Sequence, residues 1–186
     1  MASVKIYTRK GDDGTTGLYY GGRVRKDDPA PAAYGDVDEA QSAIGVARAA
    51  CREREGIDCE LDRVLIALEK DLWVLMADLA TEIENRSKLV EGMSLVSDAM
   101  VEALEHQIDD YAARFSLPAE FVVPGQTVVS ALLDVARTVV RRAERTALSA
   151  AADGSLVISY LNRLSDLLWT LARWQEHGQS LMSRDA

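Results

Sequence analysis

Histidine and cysteine are scarce in this chain, with two of each, and that scarcity removes several chemistries at once. A di-metal carboxylate centre in a helical bundle needs Glu-x-x-His pairs. His106 has Ala103 three residues before it and His177 has Trp174, so neither offers such a pair. Two histidines without a Ser/His/Asp or Cys/His arrangement give hydrolytic nucleophilic catalysis little support. Cys51 and Cys59 stand in neither a CxxC nor a zinc-ligand spacing, and read as small, partly buried thiols of a reducing cytoplasm. No apolar run approaches the roughly 18 residues of a membrane span. Met1–Lys5 has no apolar secretion core, so the expectation is a cytoplasmic chain without a membrane segment. Positive charge is also short. The 21 Lys and Arg against 30 Asp and Glu leave a net charge of −9, which argues against the broad basic face that nucleic acid demands.

The positive charge that exists is concentrated. Residues 1–26 hold six basic and two acidic side chains, and residues 137–145 hold four arginines and Glu144. In the second segment Arg137, Arg141 and Arg145 recur at i, i+4 and i+8, so a helix projects them from roughly one face. Like charges at that spacing repel. The row therefore needs counter-charge from elsewhere, and a guanidinium fork matches phosphate or carboxylate. Two compact basic segments in an acidic body point to one anion site built from both, with a nucleotide triphosphate as the natural guest. The competing reading is a solvated helix face, with Asp134 three residues before Arg137 and Glu144 three after Arg141 neutralising part of it. Glu144 also suits a Mg²⁺–triphosphate site, as one carboxylate among phosphate-binding cations.

The length of 186 residues and 48% hydrophobic content fit one domain, residues 1–186, with a sizeable core. Residues 1–33 carry several glycines and no helical period, and read as an ordered or strand-like arm. From Tyr34 to Ala186 the pattern is helical. Val37, Ala40, Ile44, Ala47 and Cys51 mark a first helix ending before Gly56, and Leu61, Leu65, Leu68, Leu72, Leu75 and Leu79 mark a second. Residues 84–96 are polar and broken. Ser97 is the expected N-cap of a third helix with Val101, Leu104, Ile108 and Tyr111 inward, closed by Pro118. Phe121–Gln126 forms a short apolar turn. A fourth helix with Val129, Leu132, Ala136, Val140, Ala143 and Ala147 along one side is broken at Asp153-Gly154, and a fifth runs from near Ser155 through Leu171. The fold class is all-α: a five-helix bundle with an irregular N-terminal arm.

Within the arm, Tyr7-Thr-Arg-Lys-Gly-Asp-Asp-Gly-Thr-Thr-Gly17 offers backbone N–H groups, hydroxyls and a lysine to a phosphate. It is not a Walker A loop. A mobile polar tail fits its composition as well. Asn162, Ser165 and Asp166 form a polar stripe on the fifth helix, which suits a ligand contact or hydrogen bonding between helices.

Taken together, six segments resemble the PduO-type ATP:corrinoid adenosyltransferases. They are Lys5–Gly17, Lys26-Asp-Asp-Pro29, Tyr34-Gly-Asp-Val-Asp-Glu39, Phe121–Gly125, Arg137–Arg145 with its Arg-Arg-Ala-Glu-Arg core, and Tyr160-Leu-Asn-Arg-Leu-Ser-Asp166. They occur in the family's order over nearly the whole chain. The resemblance implies a homotrimer of five-helix bundles with ATP held between neighbouring subunits. It places Thr8, Arg9, Lys10, Gly11, Thr16, Gly17 and Lys26 of the arm on ATP, with Arg137, Arg141, Arg142 and Arg145 lining the same site. Glu144 would lie near Mg²⁺ and Asn162 near the nucleoside. Asp38 would pair with Arg141 across the subunit interface.

The implied reaction is attack of cob(I)alamin cobalt on the 5′ carbon of ATP, giving adenosylcobalamin and triphosphate. Phe121 matches the family's phenylalanine on the lower face of the corrin, which displaces the axial ligand and eases reduction of cob(II)alamin. Gln126, Ala40-Gln41 and Trp169 depart from common family residues. Transient contact with a cobalamin reductase and an adenosylcobalamin-dependent mutase is implied as well. The alternatives are a non-catalytic bundle that binds nucleotide or cobalamin for delivery to a mutase, and a purely structural trimer.

Overall fold

The computed structural model describes residues 5–56 and 59–184. Five α-helices build the body: α1 Pro29–Glu55, α2 Glu60–Leu79, α3 Asp98–Ala112, α4 Val128–Ala147 and α5 Val157–Trp174. A 3₁₀ turn spans Ile83–Lys88. Two small antiparallel ladders flank the helices. One pairs β1 (Thr15–Gly17) with β2 (Arg23–Arg25), and the other pairs β3 (Val122–Val123) with β4 (Leu181–Met182).

The most extensive packing joins α1 to α4, and α5 then packs on α4. The reason lies in side-chain size. α1 buries Ala33, Val37, Ala40, Ile44, Ala47 and Cys51, and α4 buries Val129, Leu133, Ala136, Val140, Ala143 and Ala147. Alternating small and branched residues let the two helices approach closely and interdigitate. The leucines of α2 are all buried, as their spacing predicts, and so are Leu161, Leu164, Leu168 and Leu171 of α5. On α4 the buried leucine is Leu133, whereas Leu132 is only partly covered.

Three boundaries differ from the sequence expectation. α1 begins at Pro29, not Tyr34, so the arm ends earlier than residue 33. Asp28 caps it by accepting from the Ala30 N–H at 3.1 Å. Proline suits a first turn, whose N–H groups lack helical partners anyway, so Pro29 and Pro31 open this helix before its apolar period begins. α4 ends at Ala147 and unwinds through turns in which the Ala150 and Ala151 N–H groups return to the Ala147 carbonyl, well before Asp153-Gly154. α3 ends at Ala112, well before Pro118, while α5 starts at Val157, close to the expected Ser155. Ser97 occupies the N-cap position of α3, but its hydroxyl makes no capping bond. Thr127 does cap α4, in a reciprocal pair with Ser130 at 2.9 and 3.1 Å.

The arm is a hairpin fastened to the end of α2. The Tyr19 N–H donates to the Ala80 carbonyl at 2.8 Å, and the Tyr20 hydroxyl to the Lys88 carbonyl at 3.1 Å. Beneath it the buried Asp78 carboxylate accepts from Arg86 at 2.8 Å and Ser155 at 3.2 Å. That carboxylate ties the 3₁₀ turn to the start of α5.

Candidate functional site

Each step of four residues rotates a side chain by about 40° around an α-helix. The row Arg137, Arg141, Arg145 therefore winds from the edge of the buried stripe of α4 towards solvent. Arg137 is half-buried and its Nε donates to Asp134 Oδ1 at 3.1 Å. Arg141 and Arg145 are exposed, and neither forms an ion pair with a carboxylate among the described residues. Arg145 donates only to the Arg141 carbonyl at 2.9 Å. Arg142 projects towards α1, where it meets Asp36 at 3.4 Å and also Glu39. Three cations are thus aligned with one internal counter-ion, which leaves unbalanced positive charge facing outward.

Glu144 sits inside this row. Its Oε1 accepts from Asn162 Nδ2 of α5 at 3.2 Å, so the sequence-predicted carboxylate and amide do meet. Asn162 Oδ1 accepts from Arg163 at 2.7 Å. Burial, together with the nearby Glu144 carboxylate, raises the Asp166 carboxyl above its usual range, while Arg163 and Arg141 pull it down. Ser165 is buried and its hydroxyl returns to the Asn162 carbonyl at 2.9 Å, so it serves its own helix.

At the N-terminal end of α4 the chain builds a second feature. Phe121 immediately precedes β3 and is 88% exposed, which is unusual for so large an apolar side chain. It borders a cavity of ≈ 700 Å³ whose walls include Pro124, Asp134, Arg137, Trp169 and Arg173. Arg137 therefore belongs to both features. The cavity and the exposed arginines are continuous along one helix.

In the arm, the structure brings Gly11 against Lys26. A Cβ at Gly11 would stand 3.1 Å from the Thr15 carbonyl and 3.2 Å from Lys26 Nζ, so the loop and the ammonium are closely packed there. Arg23 holds the loop by donating to the Lys10 carbonyl and the Thr15 hydroxyl, both at 2.6 Å. The Thr8 hydroxyl accepts from the Lys10 N–H at 3.4 Å, Arg9 has φ +62°, and Thr16 and Gly17 lie on β1. No hydrogen bond or ion pair joins the segment 8–26 to the arginine row among the described residues. Asp38 on α1 is exposed, and its side chain makes neither kind of bond among the described residues.

The donor set fits a magnesium nucleotide. Mg²⁺ is held by one or two carboxylates plus substrate phosphates, and Glu144 offers one carboxylate flanked by unpaired guanidinium groups. Among the described residues a different group, Cys51, Glu55 and Cys59, gathers more closely, with the two sulfurs 2.9 Å apart. Burial beside Cys59 pushes the Cys51 thiol up to about 12. Their separation in sequence gives no sign of that meeting. Sequence reasoning also missed Arg173, which lines the cavity, and Glu176, which accepts from it behind the wall. The signal was faint: one arginine and one acid at the end of an apolar helix.

Known proteins bear on the family of the chain. The cobalamin adenosyltransferase family model matches residues 6–175. A corrinoid adenosyltransferase of Citrobacter freundii is 41% identical over 175 residues, covering 92% of this chain and 95% of its own. One from Mycobacterium tuberculosis is 44% identical over 174 residues, covering 91% and 87%. Among solved structures, a phenylalanine-to-histidine variant of a PduO-type ATP:corrinoid adenosyltransferase from Lactobacillus reuteri, complexed with cobalamin and ATP, superposes with a TM-score of 0.83. It is 28% identical, and 97% of each chain is covered. The chain belongs to the cobalamin adenosyltransferase family, of the PduO type.

Proposed function

We propose that this chain transfers the 5′-deoxyadenosyl group of ATP to the cobalt of cob(I)alamin, giving adenosylcobalamin and triphosphate. The observation that carries the reading is the double membership of Arg137, which lines the Phe121 cavity and begins the exposed arginine row. A corrin seated by Phe121 would bring its cobalt to the end of a nucleotide whose phosphates lie along α4. Alignment of nucleophile and carbon is worth much of such a barrier. Arg141 and Arg145, which form no ion pair among the described residues, stabilise charge developing on the leaving triphosphate. Glu144, steadied by Asn162, would hold Mg²⁺, which when bound neutralises phosphate charge. Phe121 takes the lower face of the corrin and excludes an axial ligand, so that cob(II)alamin accepts an electron more easily. Mixing the protein with MgATP and chemically reduced cobalamin should produce the light-sensitive spectrum of adenosylcobalamin. Unchanged cobalamin would contradict the reading.

The assembly belongs to the same proposal. An arm that forms no bond to the arginine row among the described residues, and an Asp38 without a partner among them, both suit a homotrimer in which each ATP lies between subunits. Asp38 then meets Arg141 of a neighbour. Asp38→Asn removes one charge-assisted pair, about 1.5–3 kcal/mol where poorly exposed. ATP affinity should fall roughly tenfold or more, with looser assembly on sizing. Unchanged affinity, turnover and elution would refute the shared site. The hairpin supplies a further check. Residues 8–26 should resist protease with MgATP present and be cut readily without it, whereas cleavage indifferent to ATP removes the arm from the site. A cytoplasmic location, supply of cob(I)alamin through reduction of cob(II)alamin by a cobalamin reductase, and passage of the product to a mutase complete the proposal. No helix among the described residues is long and apolar enough to cross a membrane.

A further inference from the structure

The inner wall of the cavity contains charge that the reaction as described does not use. Arg173, on the last turn of α5, is only 2% exposed. Its Nη2 donates to Asp134 Oδ2 at 2.6 Å and to Glu176 Oε1 at 2.9 Å. The other oxygen of Asp134 accepts from Arg137 at 3.1 Å. Glu176 is equally buried, and its Oε2 accepts from the Ser180 hydroxyl at 2.5 Å. Ser180 immediately precedes β4, where Leu181 and Met182 pair with Val123 and Val122. Beyond it, the Ser183 N–H donates to the Phe121 carbonyl at 2.8 Å. An unbroken series of contacts therefore runs from Arg137, at the head of the arginine row, to the backbone of Phe121.

Burying one guanidinium and two carboxylate groups is costly, and an apolar cluster of the same volume is often the more stable choice. Among the described residues Arg173 Nε has no hydrogen-bond partner. Position is what such a network supplies. Asp134 is shared, so a change in how Arg137 is held must alter how Arg173 is held. Arg173 also lies 5.7 Å from the centre of the Trp169 ring, which lines the same cavity. The strand pair β3–β4 is only two residues long on each side, so its placement depends on what anchors its ends.

Resting on the adenosyltransferase reading, we propose that Asp134, Arg173 and Glu176 are positioning residues that couple occupation of the phosphate site at Arg137 to the placement of Phe121 against the corrin. ATP and corrinoid then bind cooperatively, and by thermodynamic necessity each tightens the other by the same factor. The series is the two-state element through which both sites act.

The experiment measures the dissociation constant of cob(II)alamin with and without MgATP, and that of MgATP with and without cob(II)alamin, on the whole protein. The ratio should be about tenfold in the unaltered chain, within the usual range of such couplings. Glu176→Gln and Ser180→Ala touch neither ligand and preserve shape. In both, the ratio should fall below about twofold while affinity for MgATP alone changes little. Arg173→Lys keeps the charge but loses the fork, and should retain an intermediate ratio. Should an Arg173 variant fail to fold, the Glu176 and Ser180 variants carry the test. A full ratio in folded Glu176→Gln overturns the coupling role and makes the network a structural tie. A ratio of one in the unaltered chain, with both ligands bound, overturns it too and leaves the functional reading standing. Failure of the unaltered chain to bind either ligand overturns both.

Discussion

Arg141→Ala should weaken ATP binding by roughly 10- to 150-fold, the loss of a charge-assisted hydrogen bond worth about 1.5–3 kcal/mol. Without ligand the variant should melt no lower than the unaltered protein. The argument rests on what Arg141 lacks. Among the described residues it forms no ion pair with a carboxylate, and its neighbours four residues away on α4 are Arg137 and Arg145. Removing one member of that row relieves repulsion between like charges. Arg142 is the internal control. It is paired with Asp36 and Glu39 on α1, so Arg142→Ala should cost stability more than nucleotide affinity. Nucleotide titration and thermal melting of both variants separate the roles. A lower melting temperature for Arg141→Ala with ATP affinity intact would make the row an ordinary paired surface.

Phe121→Ala should leave folding nearly untouched and remove most adenosylation that starts from cob(II)alamin. A core phenylalanine truncated to alanine costs roughly 3–5 kcal/mol through the cavity left behind. At 88% exposure Phe121 has almost no packing to lose. What it has is a position at the rim of a cavity that also holds Trp169 and Arg137. The variant should bind ATP normally. Its four-coordinate cob(II)alamin signal, read by electron paramagnetic resonance with ATP bound, should shrink. Cobalamin already reduced to cob(I) should still be adenosylated, since the axial ligand matters at the electron-transfer step. A folded variant that forms the four-coordinate species in full would end the role given to Phe121.

The leucine period of α2 and the small-residue stripe of α1 were legible because local repetition and burial coincide there. The arginine row was legible for the opposite reason: charges stacked without local compensation conflict with helix stability unless something answers them. Contacts distant along the chain were not legible. Arg173 meets Asp134 from 39 positions away, and nothing at either residue announces the other. β3 and β4 are too short to show an alternating pattern, yet their pairing fixes the segment that bears Phe121. The orientation of Arg142 depends on which side of α4 faces α1. The start of α1 was not legible because its first turn carries no helical period, whereas prolines after an aspartate cap open a helix.

The central claim is that α4 brings the 5′ carbon of ATP and the cobalt together. The most direct measurement follows ATP labelled with ¹³C at the 5′ position through one turnover with the protein and chemically reduced cobalamin, using carbon and phosphorus resonance. The account predicts that the label moves into a light-sensitive carbon–cobalt bond while the phosphates leave as one intact triphosphate. Label remaining in nucleotide, with cobalamin recovered unalkylated, would contradict it.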